Sequence, residues 1–313
     1  MIVVVEGPGK FIGVKKHTLV VRKKDKERKK LKTIERIAIS NVNALVIIGG
    51  RKSISLDTIY ELARRNKPII ISYRGFRAFI FPPFGSHYEV RIAQYSMDNS
   101  RRITIARELV RNKVQGQKNF LRDINRSADI DGIASAITEL RGIMNALNSA
   151  EDLSEIRNLE AKAADIYWGA LKNVWSKYGF DKRRKRFDNP KDIVNKSLNY
   201  LYTILASYVA AAISTSSLDP YIGFLHDPSP RRPALVWDLV EPFRPIVDRA
   251  VNRALHRKPD NREILLEEFQ KGLYKPYIYA GKRMSAVQHM ARVVRNIETH
   301  LLTGKPFKGF VVT

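Results

Sequence analysis

Residues 218–251, LDPYIGFLHDPSPRRPALVWDLVEPFRPIVDRAV, concentrate the side chains best suited to chemistry. His226 stands in a loop rich in Gly, Pro and Ser, and Glu241 follows fifteen positions later in a stretch expected to be helical over 237–256. Asp238, Glu241 and Arg244 are spaced three apart, so a helix carries them on one face. A loop imidazole facing two helical carboxylates makes half of a divalent-cation site. Each residue also has a plainer reading: Asp238 as a first-turn acid favoured by the helix dipole, Glu241 as the partner of Arg244, His226 as a surface histidine. A further ligand must come from another segment, and the candidate is Glu160, in EDLSEIRNLEAKAADIYWGALKNVW over 151–175. There Ile156, Leu159, Ala163, Ile166, Ala170 and Leu171 form a helical apolar stripe. The small Ala161, Ala163 and Ala164 leave room beside the Glu160 carboxylate. The plainer reading of Glu160 is a surface pair with Arg157, which would contribute little. Tyr167, two turns further on, is either a contact to nucleic acid or a core tyrosine.

These residues sit in a strongly basic chain. The 56 Lys and Arg against 31 Asp and Glu leave a net charge of +25 over 313 residues. Such an excess points to a polyanionic partner, because neutralising phosphates releases condensed counterions. A thermophile surface is the alternative, but that habit adds charges of both signs. With no cysteine in the chain, disulfides and thiolate metal sites are excluded, so any metal must use His, carboxylates and water. The opening MIVVVEG is too short for a signal peptide and reads as a strand. The weakly polar run from Tyr200 to Ile213 falls short of the roughly 18 apolar residues of a membrane span. A cytoplasmic protein without a membrane segment is expected.

The elements that must position these side chains divide the chain in two. Residues 1–85 read as a β-rich domain: IVVV, FIGV, TLVV, RIAIS, ALVIIGG, PIIIS and RAFIF are short β-branched or aromatic runs, with one helix over 55–66. The basic run RKKDKERKKLK at 22–32 reads as a solvated hairpin tip, with a phosphate-backbone contact as the alternative. Pro82-Pro83-Phe84-Gly85-Ser86 marks the boundary. Residues 86–313 then show helical periodicity, with helices expected near 88–96, 100–126, 130–146, 151–176, 190–214, 237–256, 260–271 and 283–302. The fold class is therefore α+β, a small β-rich domain followed by a larger all-α one. Arg101, Arg102, Arg107, Arg111, Lys113, Lys118 and Arg122 stud one helix as a solvated or phosphate-binding stripe. Lys182, Arg183, Arg184, Lys185 and Arg186 form a loop run suited to phosphate contact. His289 reads as packing or surface rather than as a ligand, and the tail LTGKPFKGFVVT as loosely ordered or a docking segment.

Four segments, RNLEAKAADIYW, DNPKDIVNKSLNYLYTIL, LDPYIGFLH and WDLVEPFRP, follow one another in an order and spacing that resemble the CRISPR-associated spacer-acquisition integrase, the first of the core CRISPR-associated protein families. KVQGQKNFLR at 113–122 adds a weaker match. The resemblance spans both halves of the chain. It implies a β-rich N-terminal domain, a helical catalytic C-terminal domain, and metal ligands at Glu160, His226 and Glu241. Glu241 stands where Asp is common, which preserves the ligand type. Asp238 matches a second acidic position that supports the site or binds metal in some states. Arg244 matches a basic position, often Lys, suited to a phosphate. Ala161 replaces a common Gly.

The activity so implied is a DNA integrase and endonuclease: the 3′-hydroxyl of a short duplex, or water, attacks a phosphodiester. One imidazole with two carboxylates suits Mn2+ at least as well as Mg2+, which prefers all-oxygen sites. The implied partners are double-stranded DNA, with branched DNA or RNA as alternatives, a second copy of the chain in a homodimer formed through the β-rich domain, and a small second core CRISPR-associated protein. Two rival readings are a non-catalytic nucleic-acid-binding scaffold and the related transposon-borne casposon integrase. The latter is disfavoured by the little room that 313 residues leave for an appended DNA-binding domain.

Overall fold

The computed structural model describes residues 2–24, 30–72, 76–80, 88–127, 130–230 and 232–313. The boundary expected at 82–86 and the centre of the basic run lie outside these residues. In chain order the strands and helices are β1 (Ile2–Glu6), β2 (Lys10–Lys15), β3 (Thr18–Lys24), β4 (Leu31–Ala38), β5 (Ala44–Ile48), β6 (Lys52–Ile54), α1 (Leu56–Ala63), β7 (Ile69–Ser72) and β8 (Phe76–Ile80). They continue with α2 (Tyr88–Tyr95), α3 (Asn99–Ser127), α4 (Ile133–Ser149), α5 (Leu153–Trp175), α6 (Ile193–Ile213), α7 (Ala234–Val240), α8 (Arg244–Arg257), α9 (Arg262–Tyr274), β9 (Pro276–Tyr279), β10 (Lys282–Ser285) and α10 (Ala286–Thr303). The α+β class expected from the sequence is the one observed. Two compact units result: Met1–Arg91 with Ser207–Leu218, and Ile92–Ala206 with Asp219–Thr313.

In the first unit, β1, β5, β7 and β8 form one sheet in that order, with β1, β5 and β7 parallel. Parallel strands are covered on both faces, which is why ALVII and IIIS read as unbroken apolar runs. The second sheet runs β4-β3-β2-β6. Its outer strand β4, LKTIERIA, is largely exposed and carries charges, as sheet edges do. The run expected to be a hairpin tip is flanked by β3 and β4, which pair antiparallel. Val3, Val5, Ile12, Leu19, Val21, Leu45, Ile47 and Leu62 form the core. The three-residue β6 had too few residues to register as a strand in the sequence.

The second unit is built around α3, whose buried residues Ile105, Leu109, Val110, Val114, Leu121 and Ile124 recur at helical spacing. Its aromatic centre includes Trp175 and Phe180, edge to face at 5.6 Å between ring centroids. Helix α10 starts at Ala286 rather than at 283, because Lys282–Ser285 pair with β9 in a hairpin that the sequence reading missed. That hairpin turns through Ala280 and Gly281, both at positive φ. The tail is not loosely ordered: Phe307, Phe310 and Val312 are buried, and Phe310 stacks between Phe243 and His289 at 4.9 and 4.4 Å. Of its two expected readings, packing and surface, His289 is a packing residue. Among the described residues no helix is long and apolar enough to cross a membrane.

Candidate active site

The stretch expected to be one helix over 237–256 begins at Ala234 and is broken in the middle. Helix α7 ends at Val240, Glu241–Phe243 form a single 3-10 turn, and α8 starts at Arg244. Pro242 and Pro245 supply no N–H, and each ring clashes with the carbonyl four residues earlier, so an unbroken α-helix cannot form here. Glu241 is the first residue of that turn and is buried.

Asp238, one turn earlier, is fully buried. Its carboxylate accepts hydrogen bonds from the backbone N–H groups of Phe224, Leu225 and His226 at 2.6, 2.9 and 3.1 Å, and from His226 Nδ1 at 2.5 Å. The histidine loop is in effect wrapped around this one side chain. Gly223 permits it: a Cβ there would lie 2.6 Å from the His226 carbonyl and 2.7 Å from Asp238 Oδ2. Because the carboxylate can only accept, Nδ1 carries the hydrogen, and the lone pair of the neutral ring belongs to Nε2. Outside the loop, Arg157 on α5 donates to the Leu225 carbonyl and to Asp227, and Arg102 on α3 donates to the Phe224 carbonyl and to Asp227. Arg157 is therefore not the surface partner of Glu160. It holds the loop that presents His226.

Glu160 and Glu241, from α5 and the 3-10 turn, meet at a third element. Lys113 on α3 is buried, and its ammonium pairs with Glu160 Oε1 and lies 2.7 Å from Glu241 Oε2. Glu241 Oε1 pairs with Arg244 at 2.8 Å. Burial opposes ionisation of Glu241, but Arg244 and Lys113 outweigh it, His226 adds to their pull, and the carboxyl is held down at about 2. The same carboxylates raise the Lys113 ammonium against its own burial, and Arg244 is raised likewise by Glu241.

The structure thus brings Glu160 and Glu241 onto one ammonium, with His226 near enough to act on Glu241. Asp238 is engaged with the loop and positions His226. Of the two readings of Tyr167, the DNA contact is corrected and the core tyrosine holds: it is buried, and its hydroxyl donates to the buried Asp248 at 2.7 Å, as does that of Tyr202 at 2.5 Å. Arg244 lies over the Tyr202 ring at 4.7 Å. The basic loop is divided. Arg183 turns inward to Asn195 and Asn199, at 3.0 and 2.7 Å, and packs over Trp168 and Tyr202. Arg184 pairs with Asp181, while Lys182, Lys185 and Arg186 face solvent. The stripe on α3 is likewise largely committed to internal partners: Arg101 and Arg107 donate to the carbonyls of Leu301 and Ala150. Only a helix-by-helix account of partners could have singled out Lys113 from such a row.

Among the described residues no three His, Asp or Glu side chains are arranged as a ready-made metal cluster, since Lys113 stands between the two glutamates. The donor chemistry nevertheless suits a divalent cation. Two carboxylates and an imidazole Nε2 are present, the imidazole is steered by a carboxylate at its other nitrogen as metal-ligating histidines are, and the buried Glu241 Oε2 has no well-aligned hydrogen bond.

Three comparisons bear on this geometry. The family model described as "CRISPR associated protein Cas1" matches residues 3–274. A CRISPR-associated endonuclease Cas1 of Francisella tularensis subsp. novicida is 29% identical over 97% of this chain and 96% of its own length. The fold is similar to that of a casposase bound to integration product, with a TM-score of 0.82, 23% identity, and coverage of 98% of this chain and 92% of that one. It is also similar to a chain of a Cas6-RT-Cas1–Cas2 complex, with a TM-score of 0.79, 18% identity, and coverage of 100% of this chain and 36% of that one.

Proposed function

Because this chain belongs to the CRISPR-associated Cas1 family, we propose that it is a metal-dependent DNA integrase and endonuclease that inserts new spacers into a CRISPR array. The 3′-oxygen of a short duplex attacks a phosphorus of the repeat; a new P–O bond forms as the repeat's own P–O bond breaks and its 3′-hydroxyl leaves. With water as nucleophile the same site cuts. The observation that carries the reading is the meeting of three distant segments: Glu160 and Glu241 on one buried charge cluster, with His226 held beside it by Asp238.

Glu160, Glu241 and His226 Nε2 would hold the cation, Mg2+ or Mn2+. When bound, the ion would polarise the scissile phosphate and offset the charge that develops there. The chain's own residues supply the rest. Asp238 fixes the imidazole tautomer and orientation. Arg244 and Lys113 keep Glu241 ionised at any physiological pH. Arg244, packed on Tyr202, has a guanidinium geometry suited to a phosphate oxygen. Lys182, Lys185 and Arg186 would track the DNA backbone. By analogy with the Cas1–Cas2 complex that the fold resembles, a Cas2-type partner would bind, and a second copy of the chain, as the sequence resemblance implies, would complete the assembly.

The test is strand transfer of a short duplex with free 3′-hydroxyls into a supercoiled plasmid carrying a CRISPR repeat, with the small partner added. Joining is expected with Mn2+ or Mg2+, to vanish with chelator, and to fall by about a thousandfold in Glu160→Ala and His226→Ala, a loss of several kcal/mol of transition-state stabilisation. DNA binding without joining under any metal would leave a scaffold instead. The likeness to a casposase favours one second reading, a transposon-type integrase. Joining that ignores the repeat and depends on the ends of the inserted DNA would support it.

A further inference from the structure

Lys113 stands where a cation bound to Glu160 and Glu241 would stand, and this has a consequence for how such a cation binds. Its ammonium is buried and pairs with both carboxylates, at 2.7 Å from Glu241. Arg244 closes the remaining side of Glu241 at 2.8 Å. The two carboxylates are thus already balanced by two positive charges. A divalent ion arriving alone finds these two carboxylates already neutralised, and it must displace or face an ammonium at contact distance. A free cation site would leave its carboxylates uncompensated.

The two basic residues are not equivalent. Arg244 is held by its packing on the Tyr202 ring as well as by Glu241. Lys113 carries a compact charge on a flexible four-carbon stem, with donors that can turn to another acceptor. A DNA phosphodiester entering the site offers that acceptor. Once the ammonium shifts to the phosphate, Glu160 and Glu241 are released to a divalent ion, and the phosphate's own charge adds to the attraction.

We propose that Lys113 makes divalent-cation binding at Glu160 and Glu241 conditional on a DNA phosphate: without DNA its ammonium occupies the two carboxylates, and with DNA it moves to the phosphate. The inference rests on the metal-dependent reading above and adds an order of assembly to it. Linkage makes the effect reciprocal, so the cation tightens DNA binding by the same factor that DNA tightens the cation. A protein of this kind does not carry an armed cutting site before its substrate is seated.

The experiment measures Mn2+ binding by calorimetry and by the paramagnetic resonance signal of free Mn2+. It uses the full chain with and without a short duplex whose 3′ ends are dideoxy, so that joining cannot occur. In the wild type, Mn2+ is expected to bind weakly alone and to tighten by about 10- to 100-fold with the duplex, within the usual range of coupling between sites. Lys113→Met and Lys113→Gln are expected to bind Mn2+ tightly without DNA and to respond little to it. Their thermal midpoints should fall in chelator, where the buried Glu241 and the half-buried Glu160 lose their partner, and should recover with Mn2+ more than the wild type's does. Equal Mn2+ affinity in wild type with and without duplex would overturn the inference whatever the variants do. So would variants that bind no more tightly than wild type. Glu160→Gln separates the two levels. If it loses Mn2+ while the Lys113 variants match wild type, the metal site stands and the role of Lys113 falls. If, with the duplex present, it binds Mn2+ as wild type does, the metal reading itself fails.

Discussion

Glu241 and Asp248 are both buried carboxylates a short way apart along the same kinked helical stretch, and their surroundings differ in kind. Glu241 faces two cations, Lys113 and Arg244, which hold it ionised down to about 2. Asp248 accepts from two tyrosine hydroxyls, Tyr167 and Tyr202, and burial raises its carboxyl against those hydrogen bonds. The first cluster is assembled from charges, one of them on a mobile stem, so a ligand of matching charge can rearrange it. The second is held by neutral hydroxyls on rigid, fully buried rings and has no partner to release. The contrast separates a site from a scaffold where both look alike as buried acids. Asp238 belongs with the scaffold by its partners, and with the site by what it holds.

Several substitutions sharpen or break that contrast. The largest effect on folding is expected at Asp238→Ala, which leaves three loop N–H groups and the His226 ring without their acceptor. A cost of about 3–5 kcal/mol by denaturant unfolding is expected from that many unsatisfied buried groups, together with loss of strand transfer. Next is Gly223→Ala, whose Cβ must push the His226 carbonyl or Asp238. About 1–3 kcal/mol of overpacking is expected, with activity falling further than stability does, because the shift lands on His226. A Gly223→Ala protein with wild-type activity would show that the loop is not tightly set. Tyr167→Phe and Tyr202→Phe should each cost about 1 kcal/mol. Their double mutant should depart from additivity through the shared Asp248, and Tyr167→Phe should leave DNA affinity unchanged if that residue is scaffold.

The smallest effect is in the pH dependence of stability, and it carries opposite signs at the two acids. Glu241 is lower in the folded state, so its contribution is present above the unfolded value of 4.5 and is lost as pH falls from there toward about 2. Asp248 is higher in the folded state, so its contribution is present below its unfolded value of 3.8 and is lost as pH rises through its folded value. Acid titrations of stability should therefore flatten at low pH in Glu241→Gln, whereas Asp248→Asn should remove a decline with rising pH. Curves shifted in the same sense in both variants would erase the distinction.

Much of this was written in residue order. Short β-branched runs punctuated by Gly, Pro and charge announced the strands, because alternation and burial are local patterns. Eight helical stretches beyond the one over 55–66 are legible by periodicity, though Pro242 and Pro245 break the one expected over 237–256. The motifs around Glu160, His226 and Glu241 named the candidate ligands, since residue type and spacing survive in the chain as text. Other features were invisible there. The β9–β10 hairpin is too short for a periodic signal, and the tail's Phe310 has no meaning until Phe243 and His289 stand on either side of it. Arg157 looked like a neighbour's ion pair and serves a loop from a distant segment. Tyr167 lay on the correct side of its helix and still points into the core.

What the sequence by itself determined was the inventory: a basic chain, α+β in order, with a histidine and acids that could hold a cation. Only the tertiary structure decided which cation those acids hold in the protein on its own. Lys113 is one of seven similar basic residues along its helix in the sequence reading. Its role follows from the crossing of α3, α5 and the Glu241 turn, because a charge acts through distance and burial, and neither is a property of position in the chain.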